Sequence, residues 1–161
     1  MVYNLKASQL IKAPMSEVWD FFSSPANLSK ITPARMNFDI KHIDGRETES
    51  GMSYKMFKGQ HIKYKVTVMP LVRLTWVTEI TQVEEFKSFV DEQLQGPYTL
   101  WRHLHTFEET SEGVMMRDKV DYSIPLGILG RAANTIFVAG EVKGIFDYRL
   151  EAVEKIFHQK K

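Results

Sequence analysis

The sequence contains no cysteine in its 161 residues. This absence excludes disulfide bonds, thiolate metal ligands, iron–sulfur clusters and cysteine nucleophiles. The formal net charge is only +1, so the charge balance gives no reason to expect a nucleic-acid partner. No segment approaches the roughly 20 consecutive apolar residues of a membrane helix, and the first residues lack the apolar core of a signal peptide. We therefore expect a cytoplasmic location and no integral membrane segment.

Low-complexity tracts, internal repeats and linkers are also missing from the sequence. The chain is 43% hydrophobic and 25% charged, which are the proportions of an ordinary globular protein. At this length a chain buries roughly two-thirds of the surface that it exposes when unfolded, which is enough for a substantial core. We therefore expect one domain over residues 1–161.

Alternating apolar and polar residues predict strands over most of the chain. The candidate strands are residues 2–12, 37–43, 62–69, 71–82, 86–95, 100–108 and 114–124. Two short helical stretches, 16–23 and 26–31, separate the first two strands, and Ser16 is placed to cap the first stretch. Residues 44–60 contain several glycine turns and no regular pattern.

The pattern changes in the last part of the chain. No proline follows Pro125, and apolar residues recur every three or four positions from residue 138 to residue 157. Such spacing predicts one long amphipathic helix with a wide apolar stripe. One face of the predicted sheet is the only surface available to cover that stripe.

Two strands place ionisable side chains on their more apolar faces. Successive side chains of a strand point to opposite faces, so alternate residues share a face. The more apolar faces of strands 100–108 and 114–124 carry Trp101, His103, His105, Phe107, Val114, Met116, Asp118, Val120 and Tyr122. We expect these faces to lie under the long helix, which would bury two histidines and one aspartate among apolar residues.

Buried ionisable groups are costly unless they are paired or hydrogen-bonded, and three explanations compete here. The first is a structural network of histidine and aspartate across the two strands. The second is a partly open cavity whose polar groups orient a mostly apolar ligand. The third is acid–base catalysis with His103 or His105 as the base and Asp118 as its orienting partner. The first two explanations are compatible with each other.

A metal site is a fourth interpretation. Gly96, His103, His105 and Glu109 have a spacing close to the first metal motif of the cupin barrels, but Gly130 stands where that family has its third histidine. Two histidines and one carboxylate still suffice chemically. Because the end of the chain predicts a helix where a cupin has barrel strands, we treat the likeness as coincidental. We expect no metal and no cofactor.

Other strands and the helix add weaker candidates. Trp76, Thr78 and Ile80 are the favoured inward set of strand 71–82. In strand 86–95 two alternate sets fit equally well. They are Phe89, Asp91 and Gln93 or Val90, Glu92 and Leu94. Arg149 lies at the border of the helical stripe, where we expect its side chain to extend to water.

A set of short motifs carries a family resemblance over essentially the whole chain. The motifs are Ala13-Pro14, Val18-Trp19-Asp20-Phe21-Phe22, Pro25-Ala26-Asn27-Leu28, Ile31-Thr32-Pro33, Gly59, Tyr64-Lys65-Val66, Trp76-Val77-Thr78-Glu79-Ile80, Phe89-Val90-Asp91-Glu92-Gln93, Gly96-Pro97-Tyr98, Trp101-x-His103-x-His105-x-Phe107, Asp118, Tyr122-x-x-Pro125-x-Gly127 and Ile145-Phe146-x-Tyr148-Arg149. Together they resemble the START-like, or SRPBCC, superfamily, whose fold is also called helix-grip or Bet v 1-like. Within it they are most similar to the bacterial ligand-binding SRPBCC group, also described as polyketide cyclase/dehydrase-like.

The resemblance implies an α+β fold. A curved antiparallel sheet is wrapped around a long C-terminal helix, two short helices follow the first strand, and a cavity lies between sheet and helix. Members of the superfamily bind lipids, sterols, polyketides, plant hormones and other apolar molecules, and some are cyclases or dehydratases. Because one fold supports many activities, the resemblance does not decide the function.

We therefore predict a protein that binds or carries a small, largely apolar molecule in that cavity, and we favour binding without turnover. The predicted ligand-binding residues are Trp76, Thr78, Gln93, Trp101, His103, His105, Phe107, Met116, Asp118, Val120 and Tyr122. The alternative is an enzyme of the cyclase, dehydratase or isomerase type that uses a His–Asp pair in the cavity. Segments 44–60 and 124–134 are predicted to gate the entrance, and the oligomeric state stays open.

Overall fold

The computed structural model of the protein describes residues 1–45, 56–69, 71–125, 127 and 134–158. Within these residues, seven strands form one antiparallel sheet in the order β1-β7-β6-β5-β4-β3-β2. The strands are β1 (Tyr3–Ile11), β2 (Asp39–Ile43), β3 (His61–Met69), β4 (Val72–Glu84), β5 (Ser88–Gln95), β6 (Leu100–Thr110) and β7 (Gly113–Ser123). The helices are α1 (Met15–Phe22), two 3₁₀ helices (Pro25–Ile31 and Ala34–Met36), a π-helical segment (Asn134–Val138) and α2 (Ala139–His158).

The predicted α+β architecture is confirmed, with short helices after β1 and one long helix at the end. The start of α1 differs from the prediction. The Val18 amide donates to the Pro14 carbonyl at 3.1 Å, so the helix begins at Met15. Ser16 lies inside the first turn, and the prediction that it caps this helix is wrong.

The sheet is curved, and its curvature has a local cause. Irregularities in register interrupt the pairs β2–β3, β3–β4 and β4–β5. An extra residue on one strand of a pair bends that strand and increases its twist. The pairs β1–β7 and β6–β7 keep a continuous register, so the bends lie in the half of the sheet that contains β2 to β5.

Helix α2 lies against one face of the sheet through a stripe of buried side chains. These residues are Val142, Phe146, Arg149, Val153 and Phe157. Their steps of three and four residues keep one helical face toward the sheet, as the sequence pattern predicts. The π-helical segment continues directly into α2 and contains residue 138, where the predicted stripe begins. Residues 126 and 128–133, between β7 and this segment, lie outside the described part of the chain.

The buried apolar residues form three clusters around this helix. The first joins α1, the end of α2 and the ends of β6 and β7, with Trp19, Phe107 and Val153 among its members. The second covers β3 and β4, and the third joins the start of α2 to β7. A cavity lies between the clusters, under the middle of α2.

Two further sequence predictions concern the entrance of the cavity and the absence of a membrane-spanning segment. Most of the two segments predicted to gate the entrance, 44–60 and 124–134, lies outside the described residues. In the part of the chain that the structure describes, no helix combines the length and the hydropathy that a membrane span requires.

We predict that Val153→Ala lowers the free energy of unfolding by about 2 kcal/mol, because it removes two fully buried methyl groups that join α2 to the sheet. The measurement is urea unfolding followed by circular dichroism. The control is Lys155→Ala on the exposed side of the same helix, which we expect to stay within about 0.5 kcal/mol of the wild type. Equal losses in the two variants would contradict the assigned face of α2.

Candidate functional site

The cavity under α2 has a volume of about 190 Å³. Its wall is mostly apolar and aromatic, with side chains from β3, β4, β6, α2 and the short helices. The half-exposed residues Asn27, Thr32 and Glu141 belong to the wall, so the cavity reaches the surface between the short helices and the start of α2. A concave, mostly apolar space with a few polar groups has the character of a small-molecule site.

One end of the cavity holds a cluster of five ionisable side chains, which we call the polar cluster: Asp91, His103, His105, Asp118 and Arg149. Strand register brings them together. His105 on β6 lies opposite Asp118 on β7, and His103 lies opposite Asp91 on β5. Arg149 comes from α2 and closes the cluster from the helix side.

The Asp118 carboxylate contacts both imidazoles with a single oxygen. Its Oδ1 atom lies 2.8 Å from Nε2 of His103 and 2.9 Å from Nδ1 of His105. Asp91 faces the other two ring nitrogens, with Oδ2 3.0 Å from Nε2 of His105 and 3.5 Å from Nδ1 of His103. The Nη2 atom of Arg149 lies 4.0 Å from Asp118 Oδ1. Each imidazole is thus held between two carboxylates, with a guanidinium beside them.

Aromatic rings fix the positions of the two imidazoles. The ring centroids of His103 and His105 are 3.7 Å apart. Phe89 stacks on the other side of His105 at 4.1 Å, and Phe146 of α2 meets His103 edge-on at 5.3 Å. The rings are therefore fixed by packing as well as by hydrogen bonds, which preorganises the polar cluster.

Burial and charge act in opposite directions on the pKa values of the polar cluster. Burial would raise the pKa of Asp118, but the Arg149 guanidinium and hydrogen bonds from both imidazoles hold it well below its usual range. Burial also opposes the lowering of the Asp91 pKa, which the charges of His103, His105 and Arg149 and the hydrogen bond from His105 produce. Burial lowers the pKa of His103, and its hydrogen bond to Asp118 offsets this only in part. At neutral pH both carboxyl groups are ionised and His103 is neutral.

The structure brings part of the predicted ligand-binding set to the cavity. Trp76, Thr78, Trp101, His103 and His105 line it. Asp118 does not line it and lies behind the two imidazoles, where it holds their orientation. Its place is that of a positioning residue.

Four apolar members of the predicted wall lie on the expected face of the sheet but away from the cavity. Phe107 and Met116 are covered by α1 and the end of α2, in the cluster that contains Trp19. Val120 and Tyr122 pack in the cluster that joins β7 to the start of α2. Alternation identified the correct face, but it carries no information about which part of that face a helix fills.

Gln93 also lies away from the cavity wall. Its side-chain amide donates to the Tyr98 carbonyl at 2.7 Å, and its Oε1 atom accepts from the Tyr98 amide at 3.3 Å. The side chain of Gln93 therefore stabilises the turn between β5 and β6, and the neighbouring Tyr98 lines the cavity instead.

Sequence reasoning missed two members of the polar cluster as site residues. Asp91 and Arg149 both line the cavity. Asp91 belongs to one of the two alternate sets of β5, and its pairing with His103 selects that set. The expectation that Arg149 extends to water is wrong, because the side chain is only 10% exposed and its guanidinium lies over the rings of Phe22 and Phe146.

Two buried donors in the cavity wall have no acceptor among the described residues. They are Nε1 of Trp76 and Nε of Arg149. A buried donor without a partner costs roughly 1–3 kcal/mol, so each of these atoms is a local cost in the cavity wall. Thr78 lies on the same wall, and its hydroxyl is 3.4 Å from the Tyr64 hydroxyl.

Several proteins of known structure share this arrangement of sheet and helix. Ginseng major latex-like protein 151 from Panax ginseng aligns with a TM-score of 0.67 at 12% identity, over 97% of each chain. TTHA0849 from Thermus thermophilus aligns with a TM-score of 0.67 at 14% identity, over 95% of each chain. The di-domain ARO/CYC protein BexL of the BE-7585A biosynthetic pathway aligns with a TM-score of 0.67 at 17% identity, over 96% of this chain and 49% of that one.

These likenesses, at 12–17% identity, establish the class of fold. The chain has the helix-grip fold, also called START-like or Bet v 1-like, that its motifs predict. No protein-family model matches the chain, and a search of curated proteins gave no match.

We predict that Asp118→Asn lowers the free energy of unfolding by about 3 kcal/mol. The substitution keeps the shape of the side chain but removes the buried negative charge that compensates Arg149. Chemical denaturation at neutral pH measures the loss.

The matched control is Asp121→Asn on the same strand, whose carboxylate pairs at 3.1 Å with the half-exposed Lys119. A surface pair of this kind contributes less than about 1 kcal/mol, so this variant should remain close to the wild type. If Asp118→Asn is as stable as the control, the negative charge of Asp118 does not stabilise the polar cluster.

Proposed function

We propose that this protein binds or carries a small, largely apolar molecule that bears at least one oxygen function. The cavity between the sheet and α2, with the polar cluster at one end, is the single observation that carries this proposal. The apolar wall would take up the body of the molecule. The polar cluster would orient its oxygen.

The volume of the cavity limits the size of the ligand. An apolar cavity of about 150 Å³ holds a benzene molecule, so about 190 Å³ suits one substituted ring or two fused rings. A larger lipid or polyketide would need the opening near Asn27 and Glu141 to extend the site. The resemblance to ligand-binding SRPBCC proteins supports the same class of ligand.

A single START-like domain over residues 1–161 and a cytoplasmic location remain predictions.

We expect EDTA-treated protein to bind 2-naphthol, a fused-ring probe with one hydroxyl, at one site per chain in isothermal titration calorimetry. Ile145→Trp places a large ring in the cavity wall from α2 and should weaken this binding at least about tenfold. Extraction of native protein followed by mass spectrometry should recover a hydrophobic compound in stoichiometric amount from the wild type.

Tyr148→Trp is the control, because it adds the same ring to the same helix at an exposed position. It should bind 2-naphthol as the wild type does. If both variants bind equally well, the site is not the cavity under α2. If the wild type binds no 2-naphthol and yields no compound on extraction, the carrier proposal fails.

An enzymatic function is the second candidate, and the polar cluster favours it specifically. His103 and His105 both line the cavity, and Asp118 orients both rings. A neutral imidazole held by a carboxylate is a suitable general base for removing a proton next to a carbonyl group. Cyclase, dehydratase and isomerase reactions that proceed through an enolate include such a step. BexL, an ARO/CYC protein with the same fold, gives this alternative a structural parallel.

We test the enzymatic candidate with 2-tetralone in deuterated water, following exchange of its α-protons by NMR. A general base contributes a factor of about 10²–10⁴ in rate, so the wild type should exchange the α-protons much faster than buffer alone. In His103→Gln or His105→Gln the exchange rate should fall to that of buffer. His61→Gln, which changes a half-exposed histidine on β3, should leave the rate unchanged. Exchange at the buffer rate in wild-type protein that binds 2-naphthol would favour binding without turnover.

A further inference from the structure

Asp91 and Asp118 contact different ring nitrogens of the two imidazoles. Asp118 Oδ1 lies 2.8 Å from Nε2 of His103 and 2.9 Å from Nδ1 of His105. The other two ring nitrogens, Nδ1 of His103 and Nε2 of His105, face Oδ2 of Asp91. Nε2 of His105 is hydrogen-bonded to Asp91, and a metal ion that binds between such groups displaces the proton they share. Two ring nitrogens and a carboxylate oxygen, all of which can ligate a metal ion, therefore lie close together.

The separations of the converging atoms suit a metal ion. Ligand atoms about 2.1 Å from one ion are roughly 3.0 Å apart at right angles and roughly 3.4 Å apart at the tetrahedral angle. The Asp91 oxygen lies 3.0 Å and 3.5 Å from the two nitrogens. One ligand atom from each of Asp91, His103 and His105 lies within 4.8 Å of the others.

The surroundings of these three residues are those of a metal centre. A metal-ligating histidine almost always donates its other ring N–H to a carboxylate or carbonyl, and Asp118 Oδ1 lies 2.8 Å and 2.9 Å from the ring nitrogens that would donate it. Arg149 lies beside Asp118 and compensates its charge. Asp91, His103 and His105 line the cavity whereas Asp118 does not, so the open coordination position would face the bound molecule.

We propose that Asp91, His103 and His105 form a binding site for a divalent transition-metal ion, with an open position directed into the cavity. Two histidines and one carboxylate suit zinc or ferrous iron, both of which bind with three protein ligands and leave a position open. The proposed metal site is independent of the proposed carrier function. It differs from the expectation of no metal, because Asp91 on β5 supplies a carboxylate that the sequence analysis did not place beside the two histidines.

The charges around the proposed metal ion indicate which kind of group would bind at its open position. The carboxylates of Asp91 and Asp118 and the guanidinium of Arg149 sum to one negative charge, and a divalent ion changes the sum to one positive charge. A buried charge of this kind requires compensation. The open position would therefore take an anionic oxygen, either hydroxide or a deprotonated oxygen of the bound molecule.

The test is titration of EDTA-treated protein with Zn²⁺ by calorimetry, and with Co²⁺ by visible absorption spectroscopy. We expect one ion per chain. Asp91→Asn, His103→Gln and His105→Gln should each weaken Zn²⁺ binding more than about 100-fold. His42→Gln is the matched control, because it changes a histidine that pairs with an aspartate at 2.9 Å on the surface, and it should bind as the wild type does.

Wild-type protein supplies the decisive result even if a variant fails to fold, which circular dichroism would show. Absence of Zn²⁺ binding by the folded wild type would overturn the proposal. Binding that survives all three substitutions, or that is lost in His42→Gln, would also overturn it. Since 2-naphthol binding is measured without metal, either outcome leaves the carrier proposal separately testable.

Discussion

The structure depends on how the buried Asp118 carboxylate is compensated. A carboxylate in an apolar interior is costly unless charged or hydrogen-bonding groups surround it, and here they come from two separate parts of the chain. The neighbouring strand supplies two imidazoles, and α2 supplies Arg149. Asp91 on the next strand contacts the other ring nitrogens of the same imidazoles. The polar cluster thus joins the sheet to the helix that covers it. Arg149 connects α2 to the sheet through Asp118, and Asp118 contacts both imidazoles and orients them.

The cavity follows from this arrangement together with the curvature of the sheet. Apolar clusters hold both ends of α2 to the sheet, and irregularities in register bend the strands β3 to β5 that line the cavity between them. Trp76 and Trp101 contact each other edge-on at 5.4 Å and form part of the wall. The result is an apolar space closed at one end by charged groups. Such a space can orient a small molecule by its oxygen, and the same groups can hold a cation.

Much of the fold could be predicted from the sequence. Apolar residues at every second position mark the buried face of a strand, and apolar residues at every third or fourth position mark the buried face of a helix. That reasoning placed His103 and His105 under the helix. It could not select between the two faces of β5, since both fit the alternation, so Asp91 was missed. It also placed Arg149 in water, because a long cationic side chain at the edge of a stripe usually extends outward. Only the register of β5, β6 and β7 and the position of α2 show that these charges meet.

The central claim is that a hollow remains between α2 and the sheet and that the polar cluster forms its closed end. A crystal structure of the protein pressurised with xenon tests it most directly, because xenon enters apolar cavities of this size. The account predicts xenon between Trp76 and Phe146, with both imidazoles in contact with Asp118. A gap filled by protein side chains, with the imidazoles turned toward water, would contradict it.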